Sequence, residues 1–183
     1  MTNITARLAR HAAALCVASA CVFAAMTVLE FLYFRSLSGG LSSLDLRVIG
    51  FTPDEGLEWL NALGRRGAEN ILVWHYLTFD LLFPALLSAT LVSLILVAGN
   101  RLPRFAALSK RVQSILALGF VLPYTVTDYA QNLAVARVLA DPLAANPDTL
   151  SLASGLVVAK FALGAIPLMV IAALFLAGEA KKA

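Results

Sequence analysis

Charged residues are scarce in this chain of 183 amino acids. Only 14% of its residues are charged and 60% are hydrophobic, whereas soluble domains average about 25% and about 45–50%. This shortage of charge excludes a disordered chain, a nucleic-acid-binding domain and an ordinary water-soluble domain. The composition therefore predicts a chain surrounded mostly by lipid, and the length corresponds to a single domain over residues 1–183.

Residues of catalytic and metal sites are scarce as well. The two cysteines, Cys16 and Cys21, share one apolar run and form no Cys-x-x-Cys motif. The two histidines, His11 and His75, fall at opposite edges of the predicted membrane, and a single histidine at such an edge is typical of an anchor, although His75 is near enough to join Asp80. No metalloprotease, phosphate-loop or serine-hydrolase motif is present. We therefore predict no catalytic residue and no metal site, and no motif indicates a cofactor.

Four apolar runs approach or exceed the roughly 20 residues that a membrane-spanning helix needs. The first run contains Ala18-Ser19-Ala20, which is similar to a signal-peptide cleavage site, but it continues to full spanning length, so we expect it to be retained. The predicted spans are approximately residues 12–34, 74–98, 112–139 and 150–177. The fold class is therefore predicted to be an all-α membrane bundle of four helices.

The positive residues predict the orientation of the spans. Lys and Arg outnumber Asp and Glu by 14 to 11, and positive loops stay in the cytoplasm. The third loop, 141–149, has two acidic residues and no positive one, which predicts an external position. We expect a bacterial-type inner-membrane protein with both termini cytoplasmic. The positive residues that support this topology are Arg7 and Arg10, then Arg101, Arg104, Lys110 and Arg111, and finally Lys181 and Lys182.

The first loop, residues 35–73, is predicted to form a helical cap on the outer side. Thr52, Pro53 and Glu55 form a capping-box signature, and Gly64 suits the position after a helix end. A short amphipathic helix over 53–63 follows, with Trp59 beside its leucine stripe. This cap is either a lid over a pocket or a plug over the helix ends, and Arg66 either meets lipid phosphates or is solvated.

Ionisable residues at membrane depth are costly and indicate function or pairing. The chain has four of them: Glu30, Asp80, Asp128 and Lys160. Asp128 lies 11 residues before the end of the third span and Lys160 lies 10 residues after the start of the fourth. At about 1.5 Å per residue both sit about 15 Å from the outer end of their helices. Since a short loop joins these spans, we predict an ion pair between Asp128 and Lys160.

The third span continues the predicted polar cluster. Tyr124, Asp128 and either Gln131 or Asn132 are spaced three or four residues apart, so they share one helix face. Two interpretations remain open: a polar cavity that meets a ligand or proton, or a buried network that fixes how the helices pack.

Several segments together resemble a known group of proteins. They are LDLRVIGFTPDE (44–55), LNALG (60–64) and DLLFP (80–84), followed by Leu122-Pro123, Asp128, Asn132 and Lys160. This pattern resembles small four-span bacterial inner-membrane proteins of unestablished function. The resemblance implies a four-helix membrane bundle with an outer cap and implies no activity.

Three functions are compatible with these features. The first is a non-catalytic membrane protein whose outer-half polar cluster binds a small amphiphile or a partner subunit. The second is a proton- or ion-conducting element, and the third is an accessory subunit in which the ion pair is purely structural. An enzyme is the least favoured. The expected partners are the bilayer, with a lipid or amphiphile, another membrane protein or a second copy of the chain as further candidates, and no nucleic acid.

Overall fold

The computed structural model describes residues 2–180, and within them every regular element is helical. The longer helices are connected by short turns, including 3₁₀ turns at Leu44–Leu46 and Pro142–Ala144. The predicted cytoplasmic residues Lys181 and Lys182 lie outside the described residues. The helices are α1 (Thr2–Arg10), α2 (Ala12–Leu37), α3 (Pro53–Ile71), α4 (Asp80–Gly99), α5 (Pro103–Ala106), α6 (Lys110–Ala140) and α7 (Pro147–Glu179), with a π-helical segment, Leu72–Phe79, joining α3 to α4.

The described residues confirm the predicted all-helical class, and three of the helices are long and apolar enough to cross a membrane. They are Ala12–Leu37, the continuous helix Pro53–Gly99 and Pro147–Glu179. Each of them contains one predicted span, 12–34, 74–98 and 150–177 in that order. The chain therefore has the helices that a membrane protein requires.

Helix α6 differs from these three because it carries more polar residues, yet it places them inward. Gln113, Asp128, Gln131 and Asn132 are buried, with at most 5% of each residue exposed. Its outer face is instead apolar. The exposed apolar side chains of α6 include Val112, Ile115, Leu116, Phe120, Leu122, Val126 and Leu133.

Helix α4 is the centre of the packing. It contacts α2 on one side and both α6 and α7 on the other, while α6 and α7 run antiparallel against each other. Helix α1 folds back against α4 and α6, where Thr5 and Ser114 share a hydrogen bond of 2.6 Å. Leu91, Ile95 and Val121 form the apolar core between these helices on the side of the loop that joins α4 to α6.

The predicted end of the short amphipathic helix at Gly64 is wrong. The chain was expected to remain a loop between Gly64 and Trp74, but helix resumes immediately after Gly64 and runs without interruption into α4. Gly64 itself has φ 58° and ψ −177°, so the helix axis breaks there. A residue without a Cβ is suited to this positive φ, which explains glycine at the break.

The capping box predicted at the start of α3 is present. The Glu55 amide donates to Thr52 Oγ1 at 3.3 Å, and the Thr52 amide donates to the Glu55 carboxylate at 2.6 Å. The first turns of α3 then bury Trp59, Leu60 and Leu63 in an apolar cluster that includes Leu150. Burying each such side chain stabilises the fold by roughly 1.5–3 kcal/mol. The apolar stripe of α3 therefore rests on other helices of the protein.

We predict that Gly64→Ala destabilises the protein by about 1–2 kcal/mol, because a Cβ is disfavoured at positive φ. The space around Gly64 is open, so backbone conformation is the only obstacle to the added methyl group. The matched control is Gly119→Ala in the middle of α6, where the surroundings are equally open and φ is helical. Unfolding in mild detergent should show a loss for Gly64→Ala and no loss for Gly119→Ala. Equal stability of the two variants would contradict the break at Gly64.

Candidate functional site

A cavity of about 560 Å³ lies between the long helices. Its wall is mostly apolar, with Phe23 and Phe31 from α2, Phe83 and Leu87 from α4, and Leu168 from α7. One end is polar, and there the ionisable side chains gather. Those that line the cavity are Glu30, Asp45, His75, Asp80, Tyr124, Asp128 and Lys160.

The cavity is bordered by α2 and α7, with a gap between these two helices. Both helices line it and both contact α4, but they do not pack along each other. Phe23, Phe31 and Leu168 stand at this gap with more than half of their surface exposed. The lining thus combines an exposed apolar entrance with a buried polar end.

The ion pair predicted from helix depth is present. Lys160 Nζ lies 3.5 Å from Asp128 Oδ1, and the two side chains are only 12% and 6% exposed. The ammonium also donates to Gln131 Oε1 at 2.6 Å. The α6–α7 hairpin brings these groups together because both lie at the same distance from its turn.

The predicted polar face of α6 points into the interior. Tyr124 donates its hydroxyl hydrogen to Asp128 Oδ2 at 2.8 Å, one helical turn away. Asn132 donates from Nδ2 to the backbone carbonyl of Asp80 at 3.0 Å. Tyr124, Gln131 and Asn132 are all buried, so the structure brings together the α6 residues that the sequence singled out. They join α6 to α4 as well as to α7.

Glu30 lies in a π-helical turn of α2, Glu30–Phe34. In this geometry the Arg35 amide bonds to the Glu30 carbonyl, five residues earlier. The two side chains consequently lie on the same side, with Arg35 Nε 3.4 Å from Glu30 Oε1. The Ser43 amide and hydroxyl also donate to the Glu30 carboxylate at 3.0 and 2.6 Å. Glu30 thereby ties the loop 38–52 to α2.

The same register brings His75 and Asp80 together. Five residues along an α-helix correspond to a rotation of roughly 140°, which separates two side chains. In the π-helical segment Leu72–Phe79 the Asp80 amide instead bonds to the His75 carbonyl, and Asp80 Oδ2 lies 3.3 Å from His75 Nε2. His75 is only 3% exposed, so it is an interior residue and not an anchor at the membrane surface.

Asp45 completes this group and was missed by the sequence analysis. It lies in the turn Leu44–Leu46, is 4% exposed, and accepts bonds from His75 at 3.0 Å and from the Tyr76 hydroxyl at 3.3 Å. Burial raises the pKa of the Asp45 carboxyl, but the charge and hydrogen bond of His75, together with Lys160 and a backbone hydrogen bond, outweigh burial and hold that pKa well below its usual range. In the sequence analysis Asp45 occurred only within the segment LDLRVIGFTPDE (44–55). Its spacing from the other polar residues did not indicate that it is buried.

The predicted cap residues lie outside the cavity. Thr52 and Glu55 bond to each other on the surface, and Arg66 is exposed on the second part of α3. Trp59 is fully buried in the apolar cluster beneath the first part of α3. None of these four residues lines the cavity, so the segment that borders it is the turn around Asp45, with Leu46 and Val48.

Comparisons with protein-family models, with curated proteins and with solved structures find no match for this chain. Its function therefore has to be inferred from the geometry of the cavity and from the residues that line it.

We predict strong coupling between Asp128 and Lys160. Removing one partner leaves the other as a buried unpaired charge, so Asp128→Asn and Lys160→Met should each cost roughly 3–5 kcal/mol of unfolding free energy. The double variant should lose much less than the sum of the two, because it leaves no charge behind. Reversible unfolding in detergent measures this cycle.

The control for this cycle is Arg65 and Glu69, which form an ion pair of 3.0 Å on the surface with 92% and 59% of their side chains exposed. Exposed ion pairs contribute little to the free energy of unfolding. The effects of Arg65→Met and Glu69→Gln should therefore be additive. Additivity at Asp128 and Lys160 would contradict the buried pair.

Proposed function

We propose that the chain is a four-span integral membrane protein of the bacterial inner-membrane type. In this proposal α6 is the fourth span, in addition to the three apolar helices. The arrangement of α6 supports this, because its polar residues face inward and its apolar residues face outward, as in a helix surrounded by lipid. Its 31 residues extend over about 46 Å at 1.5 Å per residue, which is long enough to span with some tilt. The positive loops favour both termini in the cytoplasm. In this arrangement loop 38–52 and the first part of α3 form an outer cap.

The function of this protein, in our proposal, is non-catalytic binding of a small amphiphile in the cavity. One observation carries the proposal: the cavity has an apolar entrance between α2 and α7 and a buried polar end. An amphiphile in the bilayer can enter sideways and keep its hydrocarbon part among Phe23, Phe83 and Leu168. The volume of about 560 Å³ falls within the usual range of ligand cavities, about 300–1,000 Å³.

The polar end favours a head group that both donates and accepts hydrogen bonds. It offers the carboxylates of Asp80 and Asp128 as acceptors and the Lys160 ammonium as a donor. Hydroxyl, amide and zwitterionic heads satisfy both kinds of group. A partner subunit is less favoured, because the polar end of the cavity is buried and suits a small molecule better than a helix.

Binding is favoured over ion conduction by the packing on the inner side of the cavity. There Leu91, Ile95 and Val121 are 3% exposed or less and form a closed apolar core between α4 and α6. A conducting element needs a hydrated path through this layer. The cavity instead ends where the apolar core begins.

We predict that Ala165→Trp abolishes co-purification of the amphiphile, because Ala165 lines the cavity and a large ring there fills it. The matched control is Ala162→Trp, three residues earlier on α7, at an exposed position that does not line the cavity. Mass spectrometry of protein released from native nanodiscs should find one bound amphiphile in the wild type and in Ala162→Trp, and none in Ala165→Trp.

The head-group contact is tested with Asp128→Asn combined with Lys160→Met, which keeps the helices paired without charge. This double variant should remain folded and should lose the same amphiphile. If both cavity variants retain the wild-type amphiphile at wild-type occupancy, the proposed function is wrong. A protein that co-purifies in place of an amphiphile, and is lost from the same variants, would identify a partner subunit instead.

A further inference from the structure

We infer that Asp45, His75 and Asp80 form a binding site for one divalent transition-metal cation, Zn²⁺ or an ion of similar ligand preference. The inference goes beyond amphiphile binding and does not depend on it. The three side chains come from two separate segments, and each is at most 5% exposed. Each presents one ligand atom, and all three atoms lie within 4.8 Å of one another.

Two of the three distances within this triad are close to those between metal ligands. His75 Nε2 lies 3.0 Å from Asp45 Oδ2 and 3.3 Å from Asp80 Oδ2. Zinc binds nitrogen and oxygen at about 2.0–2.2 Å, which places neighbouring ligands of a tetrahedron about 3.3–3.5 Å apart. The two carboxylate oxygens lie within 4.8 Å of each other, so a cation between the three atoms requires the carboxylates to adjust.

The hydrogen bonding leaves a buried carboxylate oxygen unsatisfied. The single hydrogen on His75 Nε2 can serve one acceptor, and Asp45 Oδ2 takes it. Asp80 Oδ2 consequently has no hydrogen-bond donor among the described residues, although its residue is only 5% exposed and this oxygen points toward the imidazole. A buried carboxylate oxygen without a partner is costly, and a cation bound in the triad supplies one.

The charges also balance with a divalent cation. Two carboxylates carry two negative charges, and a protonated imidazole can neutralise only one of them. A divalent cation with neutral His75 neutralises both and leaves no net charge at this buried position. The imidazole ligand favours zinc and related transition metals over Mg²⁺ and Ca²⁺, which prefer oxygen ligands alone.

Further contacts hold the two carboxylate ligands in place. The Tyr76 hydroxyl donates to Asp45 Oδ1, the oxygen that does not face His75, at 3.3 Å. Asn132 fixes the backbone of Asp80 through a bond of 3.0 Å to its carbonyl. Such outer contacts orient metal ligands in known sites. All three ligands also line the cavity, so a fourth ligand such as water could reach a bound ion from it.

The test uses full-length protein purified through a tag without histidine, treated with chelator and then titrated with Zn²⁺. We expect one tightly bound Zn²⁺ per chain, measured by elemental analysis and calorimetry, and a rise in melting temperature on binding. His75→Gln and Asp80→Asn should each weaken binding at least about 100-fold, because removing a ligand should cost more than the 10–100-fold typical of its outer contacts.

Two controls separate this site from adventitious binding and from the amphiphile. His11→Gln removes the other histidine, and Asp128→Asn combined with Lys160→Met removes the charged pair of the same cavity without leaving an unpaired charge. Both variants should bind Zn²⁺ as the wild type does. Binding that is weak or absent in the wild type, or that survives His75→Gln and Asp80→Asn, overturns the inference.

X-ray absorption of the wild-type zinc complex provides a test that does not depend on how variants fold. The expected spectrum has one imidazole and otherwise oxygen ligands. Sulfur ligands would indicate that Cys16 or Cys21 binds the ion, and a second imidazole would indicate His11. Either result overturns the assignment. If the wild-type protein binds zinc but carries no amphiphile, the proposed function has failed and the metal site stands. If it carries an amphiphile but binds no zinc, the metal site has failed and the proposed function stands.

Discussion

A polar atom that is removed from water must find a partner inside the protein, and this constraint organises the interior of the structure. Glu30 meets Arg35 and Ser43, Asp128 meets Lys160 and Tyr124, and Asp45 meets His75 and Tyr76. Each of these contacts also joins separate segments or fixes a helix register. The ion pairs and hydrogen bonds of the polar cluster therefore determine how the helices meet, while the apolar side chains outside them face the surroundings.

The two π-helical turns extend the same principle to the backbone. Glu30 with Arg35 and His75 with Asp80 are both pairs of residues five positions apart, and both lie at π-helical turns. An α-helical register would turn the members of each pair away from one another. The wider register aligns them and directs both pairs toward loop 38–52, which supplies Ser43 to the first pair and Asp45 to the second. Such turns are frequent at functional sites, and here they border the polar end of the cavity.

Some of these features could be predicted from the sequence because they depend on local spacing. The capping box at Thr52 and Glu55 is a short-range pattern, and the depth of Asp128 and Lys160 follows from counting residues along two helices joined by a short loop. The group around His75 could not be predicted in this way. Its spacing from Asp80 is unfavourable for an α-helix, and the burial of Asp45 depends on a loop whose path is set by tertiary contacts. The helix after Gly64 was missed because glycine at this position is typical of a helix end. In the structure Gly64 breaks the helix axis, but the helix continues after it.

The central claim is that a π-helical register holds His75 and Asp80 side by side in the interior. Solid-state NMR of the protein in lipid bilayers tests it directly, through dipolar recoupling between the imidazole nitrogens of His75 and the carboxyl carbons of aspartate. The structure predicts couplings from His75 to both Asp45 and Asp80, in keeping with nitrogen–oxygen separations of 3.0 and 3.3 Å. His11 serves as the internal reference, because the described residues give it no ion pair with a carboxylate. Coupling to neither aspartate, or to Asp45 alone, would contradict the account.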